Sequence, residues 1–199
     1  MKTLRNFVAA VAVIAVGSAF VKPVKDDTFK VDTQRSSVEW VAKKVTGQHS
    51  GNIKLASGDL TFNGNALKAG SFNIDMNSIN VTDLSGDMKN NLTNHLKSED
   101  FFSVAKNAVS TFVITKVTAA GADRVNVAGN LTIKGITKPL SFPATIKRQG
   151  NTVVAVAKGI KVDRTQYDIK YRSKNFFGDI GDKAIDDEFE LSINLTAKK

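Results

Sequence analysis

The stretch that decides the fold reads LSGDMKNNLTNHLKSEDFF and runs from Leu84 to Phe102. Its apolar residues Leu84, Met88, Leu92 and Leu96 recur at every fourth position, and most of the residues between them are polar. This spacing predicts one apolar stripe along an amphipathic helix of about four turns. A helix of this kind needs an apolar surface on which to lay its stripe.

Polar residues flank the predicted helix on both sides. Thr82 and Asp83 stand where an N-cap is expected, and residues 98–100 supply a polar stop. Nearly all of the remaining chain alternates with period two, so the surface that receives the helix is expected to be the mouth of a rolled sheet. Phe101 and Phe102 follow the helix and are expected to point at whatever the sheet encloses.

The rest of the chain reads as a series of strands. The last one is the clearest, because Phe189, Leu191, Ile193 and Leu195 alternate with polar residues. Turn signals at 64–65, 121–123, 135 and 149–151 separate such stretches, and residues 57–59 indicate a bulge or a tight bend. The pattern predicts an all-β fold, a closed up-and-down antiparallel barrel of about eight strands with one short helix over a mouth. Eight strands enclose an interior that side chains just fill or that holds one small ligand.

The amino terminus has the features of a secretory signal peptide. Lys2 and Arg5 precede an apolar run from Phe7 to Ala15, and small residues follow at 17–19. We therefore expect a signal peptide over 1–19, a linker over 20–28, a barrel domain over 29–199 and a periplasmic location. The alternative is an amino-terminal core helix.

Composition narrows the classes of partner. The chain has 199 residues, no cysteine and a formal net charge of +9, of which Lys2 and Arg5 contribute two. Without disulfides, stability has to come from burial and backbone pairing. A basic balance favours anionic partners such as membrane headgroups, phosphates or acidic glycans. Because the expected signal peptide directs the protein out of the cytoplasm, nucleic acid is not expected as a partner.

The motifs of common enzymes and metal sites are absent from the sequence. No nucleophile elbow, zinc-protease motif or phosphate-binding glycine loop is found. His49 and His95 are the only histidines, and nothing in their spacing suggests zinc ligands. His95 is expected to hydrogen-bond backbone carbonyls at the end of the helix. We predict no catalysis, no cofactor and no metal.

Apolar side chains supply the candidate ligand-binding residues. They are expected to line a tunnel and contact an alkyl chain, although each of them could equally fill a packed barrel core. The set is Trp40, Phe62, Phe72, Met76, Phe101, Phe102, Phe112, Leu131, Phe142, Phe176 and Phe177. Phe176 and Phe177 are adjacent, so they cannot both face inward, and one of them is expected to cap a mouth.

The densest basic patch supplies the candidate headgroup-binding residues, Arg164, Lys170 and Arg172. Guanidinium and ammonium groups at a barrel mouth suit a phosphate headgroup. The alternative is a solvated strand edge whose charges prevent aggregation.

Four strings together resemble one known family. They are WVAKKVTGQHSG at 40–51, HLKSEDFF at 95–102, GNLTIKGITK at 129–138 and DRTQY at 163–167. In this order they resemble the YceI-like family of exported lipid-binding proteins, over about residues 29–195. The resemblance implies an extended lipocalin-like barrel whose pore holds a long isoprenoid or similar amphiphile, a periplasmic location and no known catalysis.

Three functions remain open at this point. The first is a periplasmic carrier or sequestering protein for an amphiphilic lipid, a function compatible with a transient membrane contact and with a homodimer. The second is a stress-response or interaction protein whose barrel is fully packed and whose surface binds a partner. The third, a lipid hydrolase or isomerase acting in the pore, is disfavoured by the missing motifs.

Overall fold

The computed structural model describes residues 25–199. The predicted signal peptide therefore lies outside the described residues. The strands are β1 Asp26–Val31, β2 Ser37–Lys44, β3 Gly47–Asn63, β4 Ala66–Val81, β5 Val109–Ala119, β6 Arg124–Ile133, β7 Ile136–Gln149, β8 Thr152–Asp163 and β9 Ile185–Lys198. One α-helix, α1 Gly86–Lys97, and two short 3₁₀ turns, Arg164–Tyr167 and Gly181–Lys183, complete the described part.

The strands close into an antiparallel barrel. Strands β2 to β9 each pair with the next one along the chain, and β9 pairs back with β2. Strands β1 and β2 share one position around the barrel. Strand β1 pairs with the far half of β3 and with the end of β9, whereas β2 pairs with the near half of β3. The described strands thus occupy eight positions around the barrel, which confirms the predicted fold class. The predicted linker is too long, since β1 already begins at Asp26.

The two ends of the barrel differ. The end that we call the helix end carries α1, the turns β2–β3 and β6–β7, and the segment 164–184 between β8 and β9. The opposite end carries the turns β3–β4, β5–β6 and β7–β8. The predicted turn at Gly64 has φ 58°, a left-handed conformation that glycine adopts without strain. Residues 57–59, where a bulge or tight bend is expected, pair in regular register with residues 71–73 of β4, and the bulge lies just before them, where the register shifts between Leu55 and Ser57.

The helix is confirmed, but two details of its prediction are wrong. Its N-cap is Ser85 rather than Thr82 or Asp83, and the Ser85 side chain makes no capping hydrogen bond. Asp83 instead accepts a hydrogen bond from the backbone N–H of Ser50, which ties it to β3. Met88 does not share the buried stripe, because it is 66% exposed. Leu84, Leu92 and Leu96 are half-buried against the core.

No helix among residues 25–199 is long and apolar enough to cross a lipid bilayer.

Candidate functional site

Two apolar cavities lie inside the barrel. The mouth cavity, of about 130 Å³, lies at the helix end and is walled in part by Leu96, Phe101 and Phe102 beneath α1. The inner cavity, of about 120 Å³, lies farther along the barrel and is walled in part by Leu60 and Leu67. Each offers roughly ten times the space that one water molecule needs. The described barrel is therefore not filled by its own side chains.

The cavities adjoin one another along the barrel axis. They share the lining residues Val38, Ile74, Leu131 and Leu191. All other residues around the inner cavity are apolar, and the mouth cavity adds only Ser110, Arg164 and Asp186 as polar or charged neighbours. Together the two cavities form one apolar column that begins under the helix and runs into the barrel.

Three large aromatic rings lie against the barrel wall at glycines. A Cβ on Gly51 would collide with the indole of Trp40, its partner across the strand pair. A Cβ on Gly58 would fall 2.7 Å from Phe72, and one on Gly129 would fall 2.5 Å from Phe112. Because glycine has no side chain, each ring packs directly against the barrel wall at its glycine and takes less of the space at the centre of the barrel.

Most of the predicted ligand-binding residues surround the two cavities. Those that line a cavity are Trp40, Phe72, Met76, Phe101, Phe102, Phe112, Leu131 and Phe142. Phe62, Phe176 and Phe177 do not line either of them. Phe62 is fully buried elsewhere, and Phe176 and Phe177 are 51% and 49% exposed. Period-two alternation indicates which face a side chain takes, but not its depth along the axis.

Phe62 belongs to a plug at the opposite end of the barrel. Its ring packs edge-on against Phe29 with centroids 5.4 Å apart, and the guanidinium of Arg148 lies over both rings. Arg148 also donates to the carbonyl of Gly64 and, over 2.7 Å, to the carboxylate of Asp27. This paired arginine closes the barrel below the inner cavity.

A cluster of rings joins α1 to the segment between β8 and β9. The His95 ring lies 4.9 Å from the centroids of both Phe101 and Tyr171, and those two rings are 5.4 Å apart. His95 Nε2 lies 2.9 Å from Asp100 Oδ2. The expectation that the His95 ring binds backbone carbonyls is therefore wrong. The cluster covers the mouth cavity, to which it contributes Phe101.

Arg164 is an internal clamp rather than an exposed headgroup ligand. It is 4% exposed and borders the mouth cavity. Its Nη1 donates to the carbonyl of Ile169 over 2.8 Å, its Nη2 to that of Ile185 over 3.0 Å and its Nε to that of Asp186 over 3.0 Å. Burial lowers the pKa of Arg164 from its ordinary value, and the neighbouring carboxylate of Asp187 partly offsets this effect.

The other two basic candidates lie on the surface at the helix end. Lys170 forms an ion pair with Asp168 over 2.7 Å, and its ammonium lies 5.1 Å from the ring centroid of Phe176. The guanidinium of Arg172 lies 5.1 Å from the centroid of Tyr171. The structure does not bring Arg164 together with Lys170 and Arg172 in one exposed patch.

Trp40 contributes a polar atom that sequence reasoning missed. Its indole Nε1 is buried and has no hydrogen-bond partner among the described residues, although the ring lines the mouth cavity. Among residues 25–199, no group of three or more histidine, aspartate or glutamate side chains is placed to hold a metal ion.

A family model matches this barrel. The YceI-like domain matches residues 29–197, which is nearly all of the described chain. The chain belongs to the YceI-like family. The four sequence stretches that resemble the family all reach the helix end. Residues 40–51 include the β2–β3 turn and residues 129–138 include the β6–β7 turn. Residues 95–102 contain the end of α1, and residues 163–167 lie at the end of β8.

Bacterial relatives resemble this YceI-like chain to different extents. It is 29% identical over 158 residues to protein YceI of Salmonella newport, an alignment that covers 75% of each chain. It is 47% identical over 57 residues to a UPF0312 protein of Pseudomonas paraeruginosa, but that alignment spans only 29% of the relative's length.

Solved structures share the fold of this YceI-like barrel. BcnA of Burkholderia cenocepacia has a TM-score of 0.69 at 22% identity, over 84% of this chain and 99% of BcnA. A polyisoprenoid-binding domain of Saccharophagus degradans has a TM-score of 0.65 at 16% identity, over 85% of this chain and 97% of that domain. At these identities the likeness concerns the fold.

Proposed function

We propose that this YceI-like protein is a periplasmic carrier that holds a long amphiphilic lipid, in the first place a polyisoprenoid, in its apolar column. The observation that carries the proposal is the pair of adjoining cavities, walled almost wholly by hydrocarbon and covered by α1 at one end. A narrow apolar column suits an extended chain better than a compact polar ligand.

The energetics favour a ligand of this length. A buried CH₂ contributes about 0.8 kcal/mol, so a five-carbon isoprene unit contributes at most about 4 kcal/mol. Three or four buried units therefore contribute at most about 12–16 kcal/mol, which leaves the roughly 8 kcal/mol of micromolar binding when the cost of association lies near the lower end of its range of roughly 4–15 kcal/mol. The polyisoprenoid-binding domain of Saccharophagus degradans, which has this fold, supports the same choice of ligand.

The cavity walls favour binding over catalysis. Within the described part of the chain, Arg164 and Asp186 are the only charged residues that border either cavity. The guanidinium of Arg164 is engaged with backbone carbonyls, including that of Asp186. The packed-barrel alternative required a filled interior, and the two cavities count against it.

The first test is native mass spectrometry of the protein purified from periplasm, followed by organic extraction. We expect a chain whose mass corresponds to removal of about 19 residues, carrying one equivalent of a prenyl lipid. An added brominated long-chain lipid should quench the fluorescence of Trp40, the only tryptophan and a lining residue of the mouth cavity.

A matched pair of variants locates the binding site. Ala144→Phe places a ring in the inner cavity, whereas Ala56→Phe places the same ring on the outer wall of β3. We expect the first change to lower prenyl affinity at least about tenfold, the equivalent of two buried methylenes, and the second to leave it unchanged. A protein that carries no lipid and binds none when prenyl or fatty chains are added back would refute the carrier function.

A further inference from the structure

One exposed patch at the helix end combines aromatic and basic side chains. We call residues 170–177 the aromatic tip. Phe176 and Phe177 are about half exposed, far more than an aromatic side chain in a core. Lys170, Arg172 and Lys174 are exposed in the same segment, which contains no acidic residue. Adjacent exposed phenylalanines are uncommon on a surface that meets only water.

The aromatic tip lies over the entrance to the mouth cavity. Ile169, the residue before the tip, lines that cavity. The Tyr171 ring contacts His95 on α1, and the carbonyl of Arg172 accepts a hydrogen bond from Ile185 N–H at the start of β9. The inner side of this segment therefore helps to wall the cavity, while its outer side presents the two phenylalanines.

Among residues 25–199, the opposite end offers no comparable entrance. Arg148 stacks on Phe29 and Phe62 there, and Asp27 binds both Arg148 and, over 2.5 Å, the ammonium of Lys199. Opening that end would break a charge-assisted network, whereas at the helix end α1 and the tip can be displaced while Arg164 keeps its hydrogen bonds to Ile169 and Ile185. Helix α1 contains no fully buried residue, so the helix end is the easier route for a ligand.

The charges around the aromatic tip favour an anionic surface. Arg172 and Lys174 have no carboxylate partner among the described residues, and Lys170 already neutralises Asp168. Asp179 and Asp182 follow the tip, so its positive side is the stretch from Lys170 to Lys174. Two more exposed apolar side chains, Met88 and Val45, lie at the same end of the barrel.

We propose that the aromatic tip docks this protein on an anionic lipid bilayer, with Phe176 and Phe177 inserted at the boundary between headgroups and acyl chains. Apolar side chains flanked by cations are the combination that binds peripheral proteins to such surfaces. Docking in this orientation sets the mouth cavity against the membrane. The passage of a lipid through the mouth rests on the proposed function, whereas the docking of the protein on the bilayer does not.

The test is flotation of the purified protein with vesicles of phosphatidylcholine alone or with phosphatidylglycerol. We expect binding to the anionic vesicles that weakens steeply as salt rises. Phe176→Ser/Phe177→Ser should lower the binding constant at least about tenfold. Arg172→Gln/Lys174→Gln should lower it about 25-fold, since each cation near the surface contributes about fivefold.

Control variants change exposed apolar and basic side chains on the barrel wall. Val113→Ser/Val154→Ser changes two side chains that are 45% and 44% exposed, and Lys116→Gln/Lys147→Gln removes two exposed cations. Both controls should bind vesicles like the unchanged protein. Docking through the tip is refuted if pure lipid vesicles fail to bind the protein, as a protein partner for the tip would predict. It is also refuted if the wall variants lose as much binding as the tip variants.

Lipid loading is measured separately, by quenching of Trp40 with a brominated prenyl lipid in the absence of vesicles. We expect the tip variants to load normally once the lipid is supplied in solution. Vesicle binding without loading would overturn the carrier function and uphold docking. Lipid loading without vesicle binding would overturn docking and uphold the carrier function.

Discussion

At the scale of single residues, Arg164 is the side chain on which the helix end most depends. Its guanidinium joins the carbonyls of Ile169 and Ile185, which lie at the two ends of the segment that covers the mouth cavity. A lysine cannot span this arrangement, because its donors lie on one atom. We expect Arg164→Lys to lower the free energy of unfolding by about 3 kcal/mol, through buried carbonyls left without partners.

Urea denaturation followed by circular dichroism measures this loss. The control is Arg172→Lys, since Arg172 is exposed, its guanidinium contacts the ring of Tyr171, and its hydrogen bond with Ile185 is made by the backbone carbonyl, which the substitution keeps. That change should alter the free energy of unfolding by no more than about 0.5 kcal/mol. Equal midpoints for the Arg164→Lys variant and the unchanged protein would show that the clamp does not stabilise the fold.

The role of Arg164 could not be predicted from the sequence, and the reason is physical. The carbonyls that it binds lie 5, 21 and 22 residues away, so they come together only after β8 and β9 have paired. Phe62 shows a similar limit. Alternation placed it correctly on the inner face, but only the packing of Phe29 and Arg148 puts it in the plug rather than at a cavity.

At the scale of elements, α1 is held by few contacts. It has no fully buried residue, and Tyr171 joins it to the neighbouring segment through His95 and Phe101. Ring pairs of this kind contribute about 0.5–1.5 kcal/mol each. We therefore expect Tyr171→Ala to accelerate hydrogen exchange of the α1 amides about tenfold, while the amides of β8 and β9 keep their protection.

Hydrogen exchange read by mass spectrometry tests this prediction, with Val113→Ala on the outer wall as the control. The control should leave α1 unchanged. If Tyr171→Ala accelerates exchange equally in α1 and in the strands, the cluster stabilises the whole barrel instead of acting as a local tie for the helix.

The elements themselves were largely predictable from the sequence. Period-two alternation such as that of Phe189 to Leu195 follows directly from a pleated strand with one face inside a barrel, and the predicted turns are found at Gly64 and Gly135. The exposure of Met88 was not predictable. A repeat of four drifts around a helix of 3.6 residues per turn, and a helix that lies on a rim buries only part of such a stripe.

At the scale of the whole molecule, carboxylates of the first strand and the turn after it join distant parts of the barrel. Asp26 binds Lys68 over 2.6 Å, Asp27 binds Lys199 and Arg148, and Asp32 binds Lys198 over 3.1 Å. These contacts tie β1 to β4, to β7 and to the carboxyl terminus. Hydrogen bonds from Lys199 and then Arg148 lower the pKa of the Asp27 carboxyl, and those from Lys68 and then Asn63 lower that of Asp26.

This arrangement predicts a sensitivity to acid that begins at the plugged end. A carboxyl whose pKa is lower in the folded than in the unfolded chain stabilises the fold above its unfolded pKa of about 4, and the stabilisation is lost as the pH falls through the folded value. The urea midpoint should therefore stay nearly level from pH 7 to about pH 5 and decrease once the pH is below about 4.

Asp27→Asn should lower the midpoint at pH 7 and flatten its decline in acid, because the variant has one fewer carboxylate to protonate. Asp123→Asn changes the charge equally in an exposed turn and should leave the shape of the curve unaltered. If the two variants gave the same pH profile, the ion pairs of Asp27 would not hold the end of the barrel closed, and the proposal that ligands use the helix end would lose one of its supports.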